Sequence, residues 1–374
     1  MIWQERVSMR TKGHFYMEGL LKKLIICYMK LLRVPFRASK KKYHDFLLTE
    51  ICSALTDEKF DITYRLSPKD PLEIPVLQRR GMDNRFAIVM QGPICVKEDF
   101  TVRTVKYYRD IYKEAVIIVS TWEGESPQAI KTLEDMGAVL VRSKLPEKSG
   151  ILNLNYQIVS TLAGIQKAKE LHIRYVAKTR TDQRLGRPFI FEYLLNLLNH
   201  FPGGDPHLQK SRIISLSMNY GNLFTPYFMS DFFYFGQVGD IEKLYLCPLD
   251  TRDFYPLDPD ATCREVAKRM YPPEIYIFKH YVVDYLKGNG NDTVKAYWDI
   301  LKHYFICVDI KTVNLVFPKY ASHFRDHWMY GDYNMNDRPE RMRTMNFDFI
   351  NWFNLYSGTL KYDAVYEKFA DVRF

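Results

Sequence analysis

The stretch Phe86-Ala87-Ile88-Val89-Met90-Gln91-Gly92-Pro93 decides the fold, because five apolar residues in a row stop at an amide, a glycine and a proline. This is the pattern of a buried strand, Phe86 to Met90, that ends in a loop. Downstream, Thr101 to Tyr112 reads as a helix and Val116 to Ser120 as a second β-rich apolar run. Pro127 to Met136 is helical again, Gly137 stops it, and Ala138 to Arg142 is a third strand. After the Pro146 to Gly150 loop come a long helix from about Asn155 to Leu171 and a fourth strand, Tyr175 to Thr179. Strand and helix alternate four times, which predicts an α/β fold: a mostly parallel sheet flanked by helices, binding ligands beyond the carboxyl ends of its strands.

The remainder is less regular. Tyr43 to Leu55 reads as a helix, and Pro68, Pro71 and Pro75 mark a connection leading into Phe86. Tyr220 to Phe235 is dense in aromatic residues, which read first as core because they carry large buried area. The expected organisation is a basic front segment over 1–42, a helical lead-in over 43–85, an α/β core over 86–236, and an acceptor-side region over 237–374 packed on that core.

The six cysteines, Cys27, Cys52, Cys95, Cys247, Cys263 and Cys307, form no Cys-x-x-Cys pair, so neither a zinc site nor a disulfide framework is indicated and a cytoplasmic setting is expected. The net charge of +9 sits in residues 1–42, where eleven Lys and Arg face only Glu5 and Glu18. The rest of the chain is close to neutral, which argues against a nucleic-acid partner. In that front segment Met17, Leu20, Leu21, Leu24, Ile25, Tyr28, Leu31 and Leu32 recur at helical spacing opposite Lys22, Lys23, Lys30 and Arg33. Such a helix suits either an anionic membrane surface or the protein's own core, and its lysines leave it too short in apolar length to span a bilayer.

The loops after the predicted strand ends, Gln91 to Lys97, Thr121 to Ser126, Ser143 to Asn153 and Arg180 to Arg187, contain neither a dinucleotide fingerprint nor a Walker loop. The most informative stretch is Tyr175 to Arg187, Tyr-Val-Ala-Lys-Thr-Arg-Thr-Asp-Gln-Arg-Leu-Gly-Arg. On an extended chain Lys178, Arg180, Asp182 and Arg184 share one face. A nucleotide-sugar donor explains charges at that place, since its diphosphate leaves with growing negative charge that cations or a carboxylate-bound Mg2+ or Mn2+ stabilise. Asp182 is then the metal ligand; the competing reading is a structural ion-pair network. Gln91 and Gly92 end the first strand, where amide and backbone can read a base or ribose. Thr121, Trp122 and Glu123 end the second, with Trp122 suited to stacking and Glu123 to accepting hydrogen bonds. Asn155 and Gln157 lie at the start of the long helix, facing the donor or, for Asn155, capping the helix. Glycosyl transfer with inversion also needs a carboxylate to take the acceptor's proton. Asp231 is the first candidate and Glu274 the second, with His323, Asp326 and His327 as a late metal or phosphate contact.

The Phe86 strand with Gln91-Gly92-Pro93, then Val119-Ser120-Thr121-Trp122, the helix with Asn155 and Gln157, and Lys178-Thr179-Arg180-Thr181-Asp182 occur in an order that resembles the WavE lipopolysaccharide-synthesis family over roughly Phe86 to Gly236. That family is similar to glycosyltransferases of the GT-A fold. The resemblance implies a nucleotide-sugar donor and a glycan or lipid-linked glycan acceptor, with Thr181-Asp182-Gln183-Arg184 in the place of an Asp-x-Asp metal motif. Here only one carboxylate is present, which leaves Arg180 or Arg184 as the alternative to a metal for neutralising the diphosphate. A sugar-1-phosphate nucleotidyltransferase and a catalytically inactive binding protein are the competing functions. The first lacks a glycine- and basic-rich triphosphate loop after the opening strand.

Overall fold

The computed structural model describes residues 23–24, 27–31, 40–55, 86–217, 223–253, 256–318 and 347–374. The chain divides into two compact units, Met1–Leu66 and Ser67–Phe374. In the first, helix α1 (Lys40–Leu55) buries Tyr43 and Leu47, and the Tyr43 hydroxyl donates to the Met29 carbonyl. Leu24, Tyr28 and Leu31 of the predicted amphipathic face are exposed; Met17, Leu20, Leu21, Ile25 and Leu32 lie outside the described residues. No described helix is long and apolar enough to cross a membrane.

The second unit is built on a sheet whose strands are β1 (Phe86–Gln91), β2 (Val116–Trp122), β3 (Val139–Ser143), β4 (Tyr175–Arg180), β6 (Ile213–Leu216), β7 (Tyr234–Gln237) and β8 (Phe305–Val308), with β5 (Arg184–Leu185) outside it pairing β9 (Leu315–Val316). The order is β3-β2-β1-β4-β7-β6-β8. The first four run parallel; β7 is antiparallel to both β4 and β6, and β8 is parallel to β6. The mostly parallel α/β sheet expected from the alternation is therefore present, and each of its first four strands falls within two residues of the predicted limits. The boundary set at Gly236 cuts through this sheet, because β8 comes from beyond it.

Helices in chain order are α2 (Phe100–Ile111), α3 (Pro127–Asp135), α4 (Leu154–Glu170), α5 (Ile190–His200), α6 (Val238–Tyr245), α7 (Cys263–Arg269), α8 (Pro273–Asp284), α9 (Val294–Tyr304), α10 (Ile310–Val313) and α11 (Phe349–Ser357). Alternation along β1 and β2 sorts the two faces of the sheet. Ala87, Val89 and Ile118 share one apolar cluster with Ala168 of α4, and Ile88, Met90, Ile117 and Val119 share another with residues of α2 and α5. α4 lies so close to the sheet that a Cβ at Gly164 would stand 2.5 Å from Val89 Cγ1 and 3.0 Å from Ser120 Cβ, so a glycine is required there. The aromatic stretch is core: Phe224, Tyr227, Phe228, Phe233, Tyr234 and Phe235 are all buried, with Trp298 Nε1 donating to the Leu223 carbonyl at 2.6 Å.

Candidate functional site

The carboxyl end of β4 is tied to the loop after β1. Thr181 donates its N–H to the Gln91 carbonyl at 3.1 Å and its hydroxyl to the Pro93 carbonyl at 2.6 Å, while the Thr101 hydroxyl donates to the Thr181 carbonyl at 2.9 Å. Gly92 adopts φ +111°, and a Cβ there would lie 3.4 Å from Thr181 Oγ1, so only glycine passes without strain. Because β7 runs against β4 with Tyr234 opposite Lys178, the segment entering β7 passes over that same edge. Asp231 arrives beside Lys178 in this way.

Lys178 is fully buried, and its Nζ donates to the Asp231 carbonyl at 2.5 Å. Gln157, one turn into α4, donates Nε2 to Asp231 Oδ2 at 2.5 Å. Tyr245, the last residue of α6, places its ring 5.5 Å from Lys178 Nζ. Glu274 stands in the first turn of α8 and feels Asp231, Lys178 and Arg180. Burial, reinforced by the Asp231 charge, pushes the Glu274 carboxyl up to about 8. Burial lowers the Lys178 ammonium to about 8, against the pull of the Asp231 charge. Burial also holds the Tyr234 and Tyr245 phenols well above their ordinary value. Burial thus works against the charged form of both Lys178 and Glu274, which flank Asp231. Arg180 forms a two-pronged pair with Asp182, Nε to Oδ1 at 2.8 Å and Nη2 to Oδ2 at 2.9 Å, and its guanidinium lies over the Phe317 ring at 5.3 Å.

Six of the residues singled out from sequence therefore converge: Gln157, Lys178, Arg180, Asp182, Asp231 and Glu274. The extended face drawn through Arg184 does not hold. β4 ends at Arg180 and residues 181–182 turn, so Arg184 enters β5 and its guanidinium packs over the rings of Phe100 and Tyr107, at 5.5 and 5.1 Å. Asn155 is neither cap nor open to a ligand. Its Nδ2 donates to the carbonyls of Lys148 and Asp250, at 3.0 and 2.9 Å, and its Oδ1 accepts the Asp250 N–H at 2.7 Å, clamping two loops. Gln91 Oε1 accepts from the Ser160 hydroxyl at 2.8 Å. Thr121 donates at 2.7 Å to Glu125 Oε1, which also accepts the Ile94 N–H at 2.9 Å and so joins the loops after β1 and β2. Trp122 is buried edge-on against Tyr156, with centroids 5.6 Å apart, and Glu123 is exposed. His323, Asp326 and His327 lie outside the described residues.

A divalent ion does not match the donor set at Asp182. Both carboxylate oxygens already accept from Arg180, and no group of three His, Cys, Asp or Glu side chains that could hold a metal occurs among the described residues. Tyr234, Tyr245, Glu125 and Phe317 were not singled out from sequence. For Tyr234 the signal was there, three residues after Asp231 within an aromatic run; for Tyr245 and Phe317 local sequence holds none.

A family model described as WavE lipopolysaccharide synthesis matches residues 86–280. No curated protein matches the sequence. Among solved structures, a cytidylyltransferase from Leptospira borgpetersenii serovar Hardjo-bovis aligns at 13% identity and TM-score 0.28, covering 44% of this chain and 66% of that one, just under two thirds. A protein assigned as a glucose-1-phosphate thymidylyltransferase from Bacillus anthracis, in complex with a sucrose, aligns at 9% and 0.32, covering 65% and 96%. A mannose-1-phosphate geranyltransferase from Thermus thermophilus aligns at 11% and 0.24, covering 39% and 44%. At such TM-scores the likeness does not extend to activity.

Proposed function

Because the chain belongs to the WavE lipopolysaccharide-synthesis family, whose model matches just over half of it, we propose that it is a glycosyltransferase of GT-A type that moves a sugar from a nucleotide-sugar donor to a polysaccharide or lipopolysaccharide-type acceptor. The observation that carries this reading is the convergence of Lys178, Asp231 and Glu274 at the carboxyl edge of a parallel sheet, where α/β folds take their ligands. The donor lies beyond β1, β2 and β4, its base toward Trp122 and Glu123 and its diphosphate toward Arg180. Asp231 takes the proton of the acceptor hydroxyl as that oxygen bonds to the anomeric carbon. The bond from that carbon to the phosphate oxygen breaks, and its electron pair leaves on the nucleoside diphosphate. A buried carboxylate acting as base contributes about 10²–10⁴-fold. Arg180 neutralises the departing charge with its guanidinium.

Residues 1–42 bring the enzyme to an anionic membrane surface, in keeping with the exposure of Leu24, Tyr28 and Leu31. The decisive assay offers purified protein a panel of nucleotide sugars with a lipopolysaccharide-core acceptor, and separately nucleoside triphosphates with sugar 1-phosphates. Release of nucleoside diphosphate in the first, undiminished by EDTA, is the expected result. Pyrophosphate in the second would replace this reading by nucleotidyl transfer, and silence in both would leave a binding protein.

A further inference from the structure

Asp231 is held at two points by side chains from a strand of the main sheet and the long helix packed on it. Lys178 projects from the central strand β4, and its Nζ holds the Asp231 main-chain carbonyl at 2.5 Å. Gln157 projects from α4, and its amide holds Asp231 Oδ2 at 2.5 Å. Among the described residues no side chain or N–H donates to Oδ1. Lys178 is fully buried with its ammonium beside the Tyr245 ring, which removes it from the surface a diphosphate would occupy. A buried ammonium is unfavourable unless a specific partner compensates it, and here that partner is the Asp231 segment.

We propose that Lys178 and Gln157 are positioning residues rather than donor contacts, fixing the backbone and one oxygen of Asp231 so that Oδ1 meets the acceptor hydroxyl. The assignment rests on the transfer reading above and adds to it which groups set the geometry of the base. Lys178 acts through the carbonyl bond and through its charge, which faces Asp231, Glu274, Arg180 and Asp182, with the phenols of Tyr245 and Tyr234 packed alongside. Loss of its proton near pH 8 weakens both actions.

The test is steady-state kinetics on full-length Lys178→Met and Gln157→Met over pH 6–9.5, with hydrogen exchange on the 230–234 segment. Misplacing a reacting group by about 1 Å can lower turnover about 10²-fold. The expected result for Lys178→Met is therefore a kcat roughly 10²-fold down with donor KM within about threefold, faster exchange at 230–234, and loss of the fall in kcat above pH 8. Glu274→Gln should retain that fall, which separates the two groups that titrate there. A raised donor KM at unchanged kcat would make Lys178 a donor contact and overturn the proposal, as would wild-type kcat and exchange. Should Lys178→Met not fold, the half-buried Gln157→Met decides by the same split of kcat from KM. Asp231→Asn with wild-type turnover would instead remove the base itself, a failure of the transfer reading that leaves the exchange result standing as a measure of the grip alone.

Discussion

At the carboxyl ends of β1, β2 and β3 the polar side chains are matched to one another or to main chain, as Thr121 is with Glu125, Gln91 with Ser160 and Asn155 with Asp250. Where β4 meets β7, two carboxyls, a buried lysine and two buried phenols crowd together, and the ionisation of several is displaced. The first arrangement stabilises loops; the second holds charge where it is unfavourable. Proteins retain such unfavourable charge mainly at functional sites, so the difference directs attention to the β4–β7 edge.

The largest expected contrast is between two arginines four residues apart. Arg180→Met should lower kcat/KM roughly 10²–10³-fold by removing a preorganised cation from the leaving diphosphate. Arg184→Met should leave kcat/KM within about threefold and lower the melting temperature instead, because its guanidinium packs on Phe100 and Tyr107. Equal kinetic losses in both would erase the distinction between the two regions. In the ordered parallel half, Gly164→Ala should destabilise by about 1–3 kcal/mol through overpacking against Val89 and Ser120, read as a melting temperature lower by several degrees.

The last effect concerns the other edge and depends on pH. The Glu274 carboxyl titrates at about 8 in the folded chain against 4.5 ordinarily, so between those values the folded state binds the extra proton and stability falls as pH rises. Glu274→Gln cannot ionise. Its melting temperature should match wild type near pH 4.5 and exceed it by a margin that widens up to pH 8. A margin that stays flat with pH would mean that Glu274 is not held protonated.

The same contrast explains what the sequence disclosed. β1 to β4 were legible because each is a short apolar run closed by a loop signal, and α4 because its length and apolar spacing exceed what a strand allows. Pairing of β7, β6 and β8 was not, since Ile213–Leu216 lies between Tyr234–Gln237 and Phe305–Val308, and the second of these comes four helices after the first, so the pairing is a long-range fact. Lys178 was legible as one of a row of charges and Asp231 and Glu274 as candidate bases, yet their meeting depends on β7 running antiparallel to β4. Arg184 was misplaced because period-two alternation was carried four residues past the end of the strand, through the turn at Thr181-Asp182. Asn155 was read for its helix position, and no local signal reveals that Asp250, distant in sequence, meets both ends of its amide.

The most direct test of the central claim, that transfer occurs at the Asp231 centre, is the turnover of Asp231→Asn beside its affinity for the nucleotide-sugar donor. The account predicts kcat lower by about 10²–10⁴-fold with donor affinity and melting temperature close to wild type. Wild-type turnover in the folded variant would contradict it and move the chemistry away from the β4–β7 edge.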